Sequence, residues 1–502
     1  MNPIDRVIGW VAPRAGLRRM QARAALDIVA RGYDGAKRGR RGNGRAPSTS
    51  ANAEVGPAQV LLRNRARDLV RNNPHAARIV DVLASNLVGA GIQPVSKTGR
   101  KTVDKKVNRL WKQFAAQADA DGQLDVYGLQ ALAVREMCQA GEAIIRFRRR
   151  LPTDGLTIPL QVQVLEADHL DNTKDVADAS GRTVLGVAFD GKGARRGYWL
   201  FREHPGEMRQ LKAPESVFVP ADEVMHLYRK QRPGQVRGVT VFAPIMMMTR
   251  DHGDFHEAAV TKGRIEACFA GFVKNTEGEP SPVGADAAPS AATGMQVQTI
   301  EPGMLHRLAH GEDIVFAQPT SSPVFDSFMI HTLMAIAAGA GITYDQLTGD
   351  LRQANYSSLR AGKIEFRRLL EQIQYHVIIP MFCVPLWREF IKTAILTGAL
   401  PRRDDGYPVD WITPANEPID PVKDMTADIL AVRSGRMTWL QFVAAWGFDP
   451  MTQLDDIQAC NKLFDDMGVV LDTDPRKVAR AGSAQPTVPT PAADAGGSDA
   501  EA

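Results

Sequence analysis

Two predicted helices that flank a strand-containing excursion constrain the fold of this 502-residue chain more than any other feature. Apolar side chains recur three and four residues apart over 240–268 and again over 325–340, which predicts two helices with one apolar face each. Between them lie an Ala/Pro/Gly/Ser-rich insert at 280–294 and strand patterns at 296–300 and 313–316. This order predicts a protruding hairpin of two helices that carries a small β module at its tip.

A polar segment follows the second of these helices and leads into a long charged helix, predicted over 357–378. The segment, residues 348–358, reads TGDLRQANYSS and contains neither a nucleophile–base pair nor a phosphate cradle. We therefore interpret it as a mechanical element, although an ordinary connection between helices would have a similar composition. Local caps are available around it: Thr343 with Gln346 as a capping box, Gly349 in the turn, and Asn355 or Ser357 before the long helix.

The chain upstream of the hairpin is predicted to form an α+β domain. Apolar residues at helical spacing cover most of 59–90, with a break where Asn73 can cap a second helix that starts at Pro74. Two further helices are predicted within 104–147. Strands are predicted at 143–148, 160–165, 183–189, 197–202 and 216–228, and more helices at 385–399 and 422–468.

Composition bounds the class of protein. A chain of this length exceeds one ordinary core, so two or more structural regions are expected. No run of 18 apolar residues occurs, the best candidate is interrupted by Pro380 and Pro385, and arginines break up the N-terminal apolar residues, so neither a membrane span nor a signal peptide is expected. Four cysteines without a CxxC pair predict reduced, buried thiols: Cys138, Cys268, Cys383 and Cys460.

Charge and low complexity say less about function. The net charge of +4 is small for a protein that grips a DNA backbone tightly, because such affinity grows with the number of phosphates neutralised. It is compatible with a channel through which DNA slides. Residues 1–58 are predicted to be a basic flexible segment, and the Pro/Ala/Gly/Asp-rich tail at 471–502 is predicted to be disordered.

Several segments, taken together and in order, resemble the lambda-type portal proteins of tailed bacteriophages over about 59–470. Each segment alone is a weak signal, but their number and order identify the chain as a member of that family. The matching segments include RARDLVRNNPHAARIVDVLASNLVGAGIQP (65–94), LQVQVLEADHLD (160–171), VPADEVMHLYRKQRPGQVRGV (219–239), EACFAGFV (266–273), IEPGMLHRLAHGEDIVFAQP (300–319), GITYDQLTGDLRQANYSSLRAGKIEFRR (341–368) and NEPIDPVKDMTADILAVRSGRMT (416–438).

The resemblance implies an α+β, predominantly helical portal fold with a wing, stem helices, a β-containing clip and a helical crown. Copies of such a chain form a homo-oligomeric ring, typically of twelve subunits. Carried onto this sequence, the regions are a basic flexible segment (1–58), the wing (59–238), stem helix 1 (239–268), the clip (269–323), stem helix 2 (324–344), the tunnel loop (345–358), the remaining wing with the long helix (359–415), the crown (416–470) and a disordered tail (471–502).

The resemblance also implies a function. A portal ring sits at one capsid vertex of the virion, serves as the channel for DNA packaging and ejection, and nucleates procapsid assembly in the host cytoplasm. The implied partners are other copies of the chain, double-stranded genome DNA bound without sequence preference, the terminase large subunit, head-completion or adaptor proteins, and the major capsid and scaffolding proteins. Neither a cofactor nor a membrane is expected.

Two sets of residues are the candidate functional sites. Mixed hydrogen-bonding groups with few charges position DNA without reading its sequence, and they allow sliding. Soft methionines and aromatic residues on the stem suit a subunit interface. The DNA-facing set is Thr348, Asp350, Arg352, Gln353, Asn355, Tyr356 and Lys363, and the stem interface set is Met246, Met248, Phe255, Phe328 and Leu333.

The alternative from another class is a metal-dependent hydrolase that processes DNA. His252 and His256 are spaced to share one helix face and could chelate a metal, but they do not form an HExxH motif and no third ligand is evident. We therefore predict no catalytic and no metal-binding residue. The sequence also has no GxxxxGK[ST] motif, so a packaging motor would be a separate protein. Carboxylates and a histidine also cluster at the end of one predicted strand: Glu166, Asp168, His169 and Asp171.

Overall fold

Helical periodicity and strand alternation fold this chain into a mixed α/β core, followed by a hairpin and C-terminal helices. The computed structural model describes residues 48–178, 181–207, 215–267, 271–275, 312–316, 325–352, 356–415, 418, 420–471, 474 and 476. The chain divides into two compact units, Met1–Glu54 and Val55–Ala502, and the first is described only from residue 48. The α-helices are α1 (Ala51–Asn72), α2 (Pro74–Val88), α3 (Lys101–Gln117), α4 (Val126–Ala140), α5 (Met246–Ala267), α6 (Phe325–Ala340), α7 (Tyr344–Thr348), α8 (Tyr356–Ile373), α9 (Val384–Leu396), α10 (Pro421–Arg433), α11 (Trp439–Ala445) and α12 (Pro450–Met467).

The strands form small antiparallel sheets. One sheet has the order β3–β2–β9 and another the order β4–β5–β6–β7–β8, while β1 pairs with β12 and β10 pairs with β11. In the three-stranded sheet, Ile145 lies opposite both Val164 and Met225. The strands are β1 (Gln93–Ser96), β2 (Glu142–Arg149), β3 (Leu160–Leu165), β4 (Val176–Asp178), β5 (Gly181–Val184), β6 (Val187–Phe189), β7 (Arg195–Phe201), β8 (Ser216–Pro220), β9 (Val224–Tyr228), β10 (Gly271–Asn275), β11 (Glu312–Phe316) and β12 (Val409–Ile412).

Two of the predicted strands are each split in the structure. The prediction at 216–228 was wrong as a single strand, because a 3₁₀ turn at Ala221–Glu223 separates β8 from β9, which belong to different sheets. The prediction at 183–189 covers β5 and β6, joined by a tight turn. Leu185 and Gly186 both have positive φ angles in that turn, 50° and 84°, as two-residue hairpin turns require.

Helix α1 begins at Ala51 rather than at residue 59, so residues 51–58 are helical and not part of a flexible segment. The Ser50 hydroxyl accepts a hydrogen bond from the backbone N–H of Ala53 at 3.3 Å, which caps the helix start. The first turn is polar and holds Glu54, which favours the helix N-terminus but adds no apolar periodicity. Residues 1–47, including the basic run, lie outside the described residues.

The predicted helix break near Pro380 was wrong, because the chain stays helical from α8 to α9. A π-helix, Gln374–Cys383, joins α8 to α9 and contains Pro380. The wider π turn changes the backbone hydrogen-bond pattern at the point where proline has no N–H to donate. The side-chain amide of Gln374 donates to the carbonyl oxygen of Leu87 at 2.9 Å and ties this helical segment to α2.

The segment Ser358–Leu396 is long and apolar enough, by length and composition alone, to cross a membrane. However, 44% of its most apolar stretch is buried inside the protein. Ile378, Phe382 and Phe390 are all buried in the main hydrophobic core. A core helix has the same length and composition, so these properties do not by themselves indicate a membrane span.

The main core joins this segment to α3 through aromatic side chains. The ring of Trp111 lies 5.1 Å from that of Phe390 and 5.4 Å from those of Phe114 and Trp387, measured between centroids.

The predicted helix cap at Asn73 was confirmed at the start of α2, where the Asn73 side chain accepts hydrogen bonds from two backbone N–H groups. The prediction that all four cysteines are buried was wrong for Cys460, which is exposed; Cys138 and Cys383 are buried, and Cys268 lies outside the described residues.

The predicted hairpin is present in the described residues. Helix α5 leads to β10, and β11 is followed by α6, with Val273 of β10 paired to Ile314 of β11. The rings of Phe255 on α5 and Phe328 on α6 meet edge to face at 4.9 Å. The strand predicted at 313–316 is therefore confirmed as β11, whereas the strand predicted at 296–300 lies outside the described residues.

Candidate DNA channel and subunit interface

The polar segment after the hairpin is shorter as a loop than the sequence predicts. Thr348 is the last residue of α7, and Tyr356 is the first residue of α8, so much of 345–358 is helical. The capping box at Thr343 is confirmed, since its N–H donates to the side chain of Gln346 at 3.0 Å. Gly349 adopts a left-handed conformation with φ of 72° and ends α7, as its conformational freedom allows. Ser357 lies within α8 and is not its cap.

Asp350 and Arg352 form a local ion pair in this loop. The Arg352 guanidinium donates to both carboxylate oxygens, at 2.9 and 2.8 Å, and the Arg352 backbone N–H donates to the same group at 3.0 Å. The hydrogen bonds from Arg352 lower the pKa of Asp350 to about 2. The arginine side chain remains 85% exposed, so the single cation of the described loop is accessible but already neutralised. Gln353 and Asn355 lie outside the described residues.

We expect the Asp350 carboxyl to report this ion pair directly. Because hydrogen bonding to Arg352 favours the carboxylate, the pair persists above the pKa of about 2 and is lost as the pH falls through it. An NMR titration of the Asp350 side chain should therefore show a midpoint near 2 in the parent chain. In an Arg352→Ala variant the midpoint should return toward the ordinary aspartate value, whereas Arg368→Ala, a matched change on α8, should leave it unchanged. An unshifted midpoint in the parent chain would contradict the ion pair.

Lys363 lies on α8, apart from the loop itself. It lines a cleft of about 840 Å³ that also contains Gln346, Phe366 and Trp446. The structure therefore does not place the whole predicted DNA-facing set in one loop. Leu351, which sequence reasoning did not select, is 60% exposed between the two members of the ion pair. The sequence signal that could have indicated an exposed Leu351 is its position between two charged residues in a polar loop.

Three of the five residues predicted for the stem interface are exposed in the single chain. Met248, Phe255 and Phe328 are 40, 39 and 48% exposed. Met246 is only 5% exposed and belongs to the chain's own core, so as a contact for a neighbouring copy it was wrong. Leu333 is half-buried against the same core. Met246 is the first residue of α5, where the helix still packs against the chain's own core.

A buried ionic network fixes the segment that enters α5. Glu142 and Arg237 are both fully buried. The Arg237 Nε donates to Glu142 Oε1 at 2.8 Å, the N–H of Gly238 donates to Oε2 at 2.8 Å, and the amide of Gln59 donates to Oε1 at 2.7 Å. Burial alone would raise the pKa of Glu142, but Arg237 and His226 outweigh it and hold the pKa well below its usual range.

His226 completes this network as a neutral ring. Burial is the largest influence on His226 and lowers its pKa to about 4. Arg195 Nη1 lies 2.9 Å from Nδ1, and since arginine can only donate, Nδ1 accepts. The other nitrogen, Nε2, therefore carries the hydrogen and donates to Glu142 at 2.9 Å. The network links α1, β2, β9 and the segment before α5.

Two glycines let the backbones cross at this point. A Cβ added to Gly238 would lie 2.0 Å from the carbonyl oxygen of Gly141, and one added to Gly141 would lie 2.5 Å from the backbone of Val239. Both positions therefore exclude any side chain. Sequence analysis did not predict this network. The signal that could have indicated it is a charged residue next to a glycine in a locally apolar stretch, at Glu142 and at Arg237.

The family follows from comparison with known sequences. A family described as "Phage portal protein, lambda family" matches residues 37–374, which is more than half of the chain. This chain belongs to the lambda family of phage portal proteins. The match confirms the resemblance inferred from the sequence and the expected α+β portal fold.

Individual relatives agree with this assignment. The chain is 26% identical over 447 residues to a "Probable portal protein" of Halomonas phage phiHAP-1, with 85% of each chain covered. It is 22% identical over 475 residues to "Portal protein B" of Escherichia phage lambda, covering 83% of this chain and 87% of that one. The chain is therefore a phage portal protein, a member of a family of structural proteins.

Solved structures show a weaker similarity. The neck of a native gene transfer agent particle, computed with C12 symmetry, covers 79% of this chain and 99% of its own, with 14% identity and a TM-score of 0.43. An HK97 family phage portal protein from Corynebacterium diphtheriae covers 73% and 98%, with 11% identity and a TM-score of 0.32. Because both TM-scores lie below 0.5, the family membership rests on the sequence matches.

The described residues of this portal chain do not favour the metal-site alternative. His252 is buried and its ring meets that of His75 edge to face at 5.4 Å. Burial lowers the pKa of His252, and the neighbouring His75 and His256 lower it further. Among the described residues, the group that could hold a metal is instead Glu166, Asp168 and His204.

Arginines already occupy that acidic group. Arg67 lies 2.7 Å from Asp168 and 2.9 Å from Glu166, and Arg63 lies 2.9 Å from Asp168. Burial alone would raise the pKa of Asp168, but these two arginines outweigh it and lower the pKa. A cation would have to displace or face two guanidinium groups. We interpret the cluster as an ion-pair network between α1 and the turn after β3.

Proposed function

We propose that this chain assembles into a closed homo-oligomeric ring, of twelve copies in the typical case, whose channel carries the double-stranded genome during packaging and ejection. The observation that carries this proposal is the family match over residues 37–374. The ring occupies one capsid vertex of the virion, after assembly in the host cytoplasm. In this role the chain is a conduit without catalytic activity of its own.

Within that ring, we assign the described elements to four regions. The α+β part upstream of α5 serves as the wing, and α5 and α6 serve as the stem. The β10–β11 pair belongs to the clip, and α10 to α12 form the crown. The buried network around Glu142 supports this arrangement, because it holds the wing and the entry to the stem in one fixed geometry. A stem that transmits load to the wing needs such a rigid base.

The loop between α7 and α8 serves as the tunnel loop. Its described part carries one carboxylate and one guanidinium that neutralise each other, together with an exposed leucine. Weak polar contacts repeated in every copy would guide the DNA backbone without reading its sequence. A ring of unpaired arginines would instead hold the phosphates tightly and oppose sliding.

The clip is proposed to receive the terminase large subunit during packaging and head-completion or adaptor proteins afterwards. The wing and crown would meet the major capsid and scaffolding proteins, and through them the ring would nucleate the procapsid. The metal-dependent hydrolase is not favoured by any described contact, since arginines fill the candidate ligand cluster.

Negative-stain imaging of the purified chain tests the proposal. We expect rings with a central hole wide enough for duplex DNA, with one dominant rotational symmetry after averaging. The same preparation should show no metal-dependent cleavage of DNA with added Mg²⁺ or Zn²⁺. A chain that remains monomeric under every assembly condition, or a monomer with metal-dependent nuclease activity, would contradict it.

A further inference from the structure

The C-terminal helices expose an apolar face that none of the described residues covers. Neither α10 nor α12 contains a fully buried residue, and in α11 the buried residue is Val443. On α12, four apolar side chains recur three or four residues apart and are exposed, with fractions of 40% for Ile457, 55% for Leu463 and 68% for Met467. We call Ile457, Cys460, Leu463 and Met467 the α12 stripe.

The described contacts of α12 within its own chain leave this stripe exposed. Asp455 reaches Lys105 of α3 at 2.5 Å in an ion pair whose side chains are 46 and 64% exposed. At 100° per residue, the four residues of the α12 stripe lie roughly 80–160° around the helix from Asp455. Amphipathic helices normally bury the apolar face and expose the polar one. The exposed apolar residues of the α12 stripe are therefore available for contact with another molecule.

The charge of α12 restricts what that molecule is. The helix contains four aspartates and one lysine, a net charge of −3 (1 − 4). Asp455 is paired with Lys105 and Asp465 with Arg476. The remaining two, Asp456 and Asp466, are exposed beside the stripe. An acidic, apolar helix repels a DNA backbone and fits a basic surface with an apolar floor.

Such a surface is present on the same chain, along α9. A groove of about 370 Å³ is lined by three apolar residues, Ile391, Ile395 and Leu396, and by three cations, Arg388, Lys392 and Arg402. We call it the α9 groove. Leu396 is 78% exposed. Lys392 pairs with Glu389 at 3.2 Å, whereas Arg388 and Arg402 form no ion pair within the described part of the chain.

A ring built from one repeated contact needs two different patches on each copy that fit each other. The α12 stripe and the α9 groove have matching apolar character and opposite charge. We propose that the α12 stripe of one copy docks into the α9 groove of the next copy, an inference that rests on the ring of the proposed function. The occupant is thus a second copy of this chain, present at the one-to-one ratio that the contact requires.

Thiol labelling of Cys460 tests this contact in the full chain. Cys138 and Cys383 are buried, and burial raises the pKa of both thiols, so they react slowly. A Cys268→Ser background removes the fourth cysteine. In this background a maleimide should modify Cys460 at least tenfold more slowly in rings than in monomers. A Lys462→Cys, Cys460→Ser variant places the thiol on the polar face of α12 and should react at similar rates in both forms.

Charge reversal identifies the receiving surface. Arg388→Glu with Arg402→Glu should reduce the yield of rings at least tenfold at low salt, and Asp456→Lys with Asp466→Lys should do the same. Combining the four changes should restore ring formation, because the opposite charges then face each other again. Circular dichroism of each variant monitors folding. Restored ring formation in the variant that carries all four substitutions excludes simple unfolding as the cause of the losses.

The outcomes separate the contact from the ring itself. Rings whose Cys460 reacts as fast as in monomers would overturn the docking inference and leave the proposed function intact. Protection of Cys460 without any effect of the Arg388 and Arg402 changes would overturn the α9 groove as the receiving surface. Protection of monomeric Cys460 by added duplex DNA or by a scaffolding protein would assign the stripe to that occupant instead. Absence of rings from the unmodified chain would instead refute the proposed function.

Discussion

Replacing Glu142 by glutamine should destabilise the chain more than any exposed substitution. The change keeps the shape of the side chain but leaves Arg237, which is fully buried, without a counter-charge. Removing one partner of a buried ion pair typically costs about 3–5 kcal/mol, because the other charge stays desolvated and unpaired. Urea unfolding followed by circular dichroism should show a free energy of unfolding that is lower by about that amount.

Asp222→Asn is a matched control for the carboxylate-to-amide change. Asp222 is 67% exposed and lies 3.8 Å from Arg149, so losing this surface pair should change the free energy of unfolding by less than about 1 kcal/mol. Equal effects of the two substitutions would contradict the network. A variant Glu142→Gln that unfolds like the parent chain would show that Arg237 finds another partner.

The same network predicts an acid-sensitive fold. His226 has a folded pKa of about 4, below its unfolded value of 6.5, so the unfolded chain binds the additional proton between these values. Stability from this group is therefore complete above pH 6.5 and falls as the pH decreases toward 4. Glu142 acts in the same direction at lower pH, since its folded pKa is also depressed.

Replacing both Leu351 and Arg352 by glycine should sharply reduce the amount of packaged genome without preventing ring assembly. Their side chains are 60 and 85% exposed, so their removal takes little from the core. The change removes an apolar contact and the loop's described cation, and it does so in every copy of the ring. We expect packaged genome to fall by about tenfold or more, because loss of Arg352 leaves the Asp350 carboxylate uncompensated and its repulsion of the phosphates is repeated around the ring.

The measurement is nuclease-protected DNA per particle, with ring assembly followed by negative-stain imaging. Lys192→Gly changes a long exposed side chain in the turn between β6 and β7 and serves as the matched control. Extending the variant to Asn355 and Tyr356 should deepen the loss if those residues also face the channel. Unchanged packaging with intact rings would contradict the tunnel-loop role, and loss of rings would assign the loop to assembly instead.

Local patterns predicted local structure well in this chain. The Asn73 cap, the capping box at Thr343 and the left-handed Gly349 are each set by residues within a few positions of one another. The helix–strand–helix order of the hairpin also follows from periodicity in adjacent stretches. Errors occurred where a local signal was absent or ambiguous: a polar first turn concealed the start of α1, and a π-helix carried Pro380 through a predicted break.

The sequence by itself determined the family, the helix–strand–helix order of the hairpin and the caps at Asn73, Thr343 and Gly349, because these depend on neighbouring residues and on motifs in a fixed order. Only the tertiary structure decided which charges are buried. Glu142 meets residues that are 83 and 95 positions away, Gln59 and Arg237, and no spacing rule connects them. It also decided that Met246 faces the core while the α12 stripe faces solvent, since helical periodicity gives a side chain's angle but not the neighbour it meets.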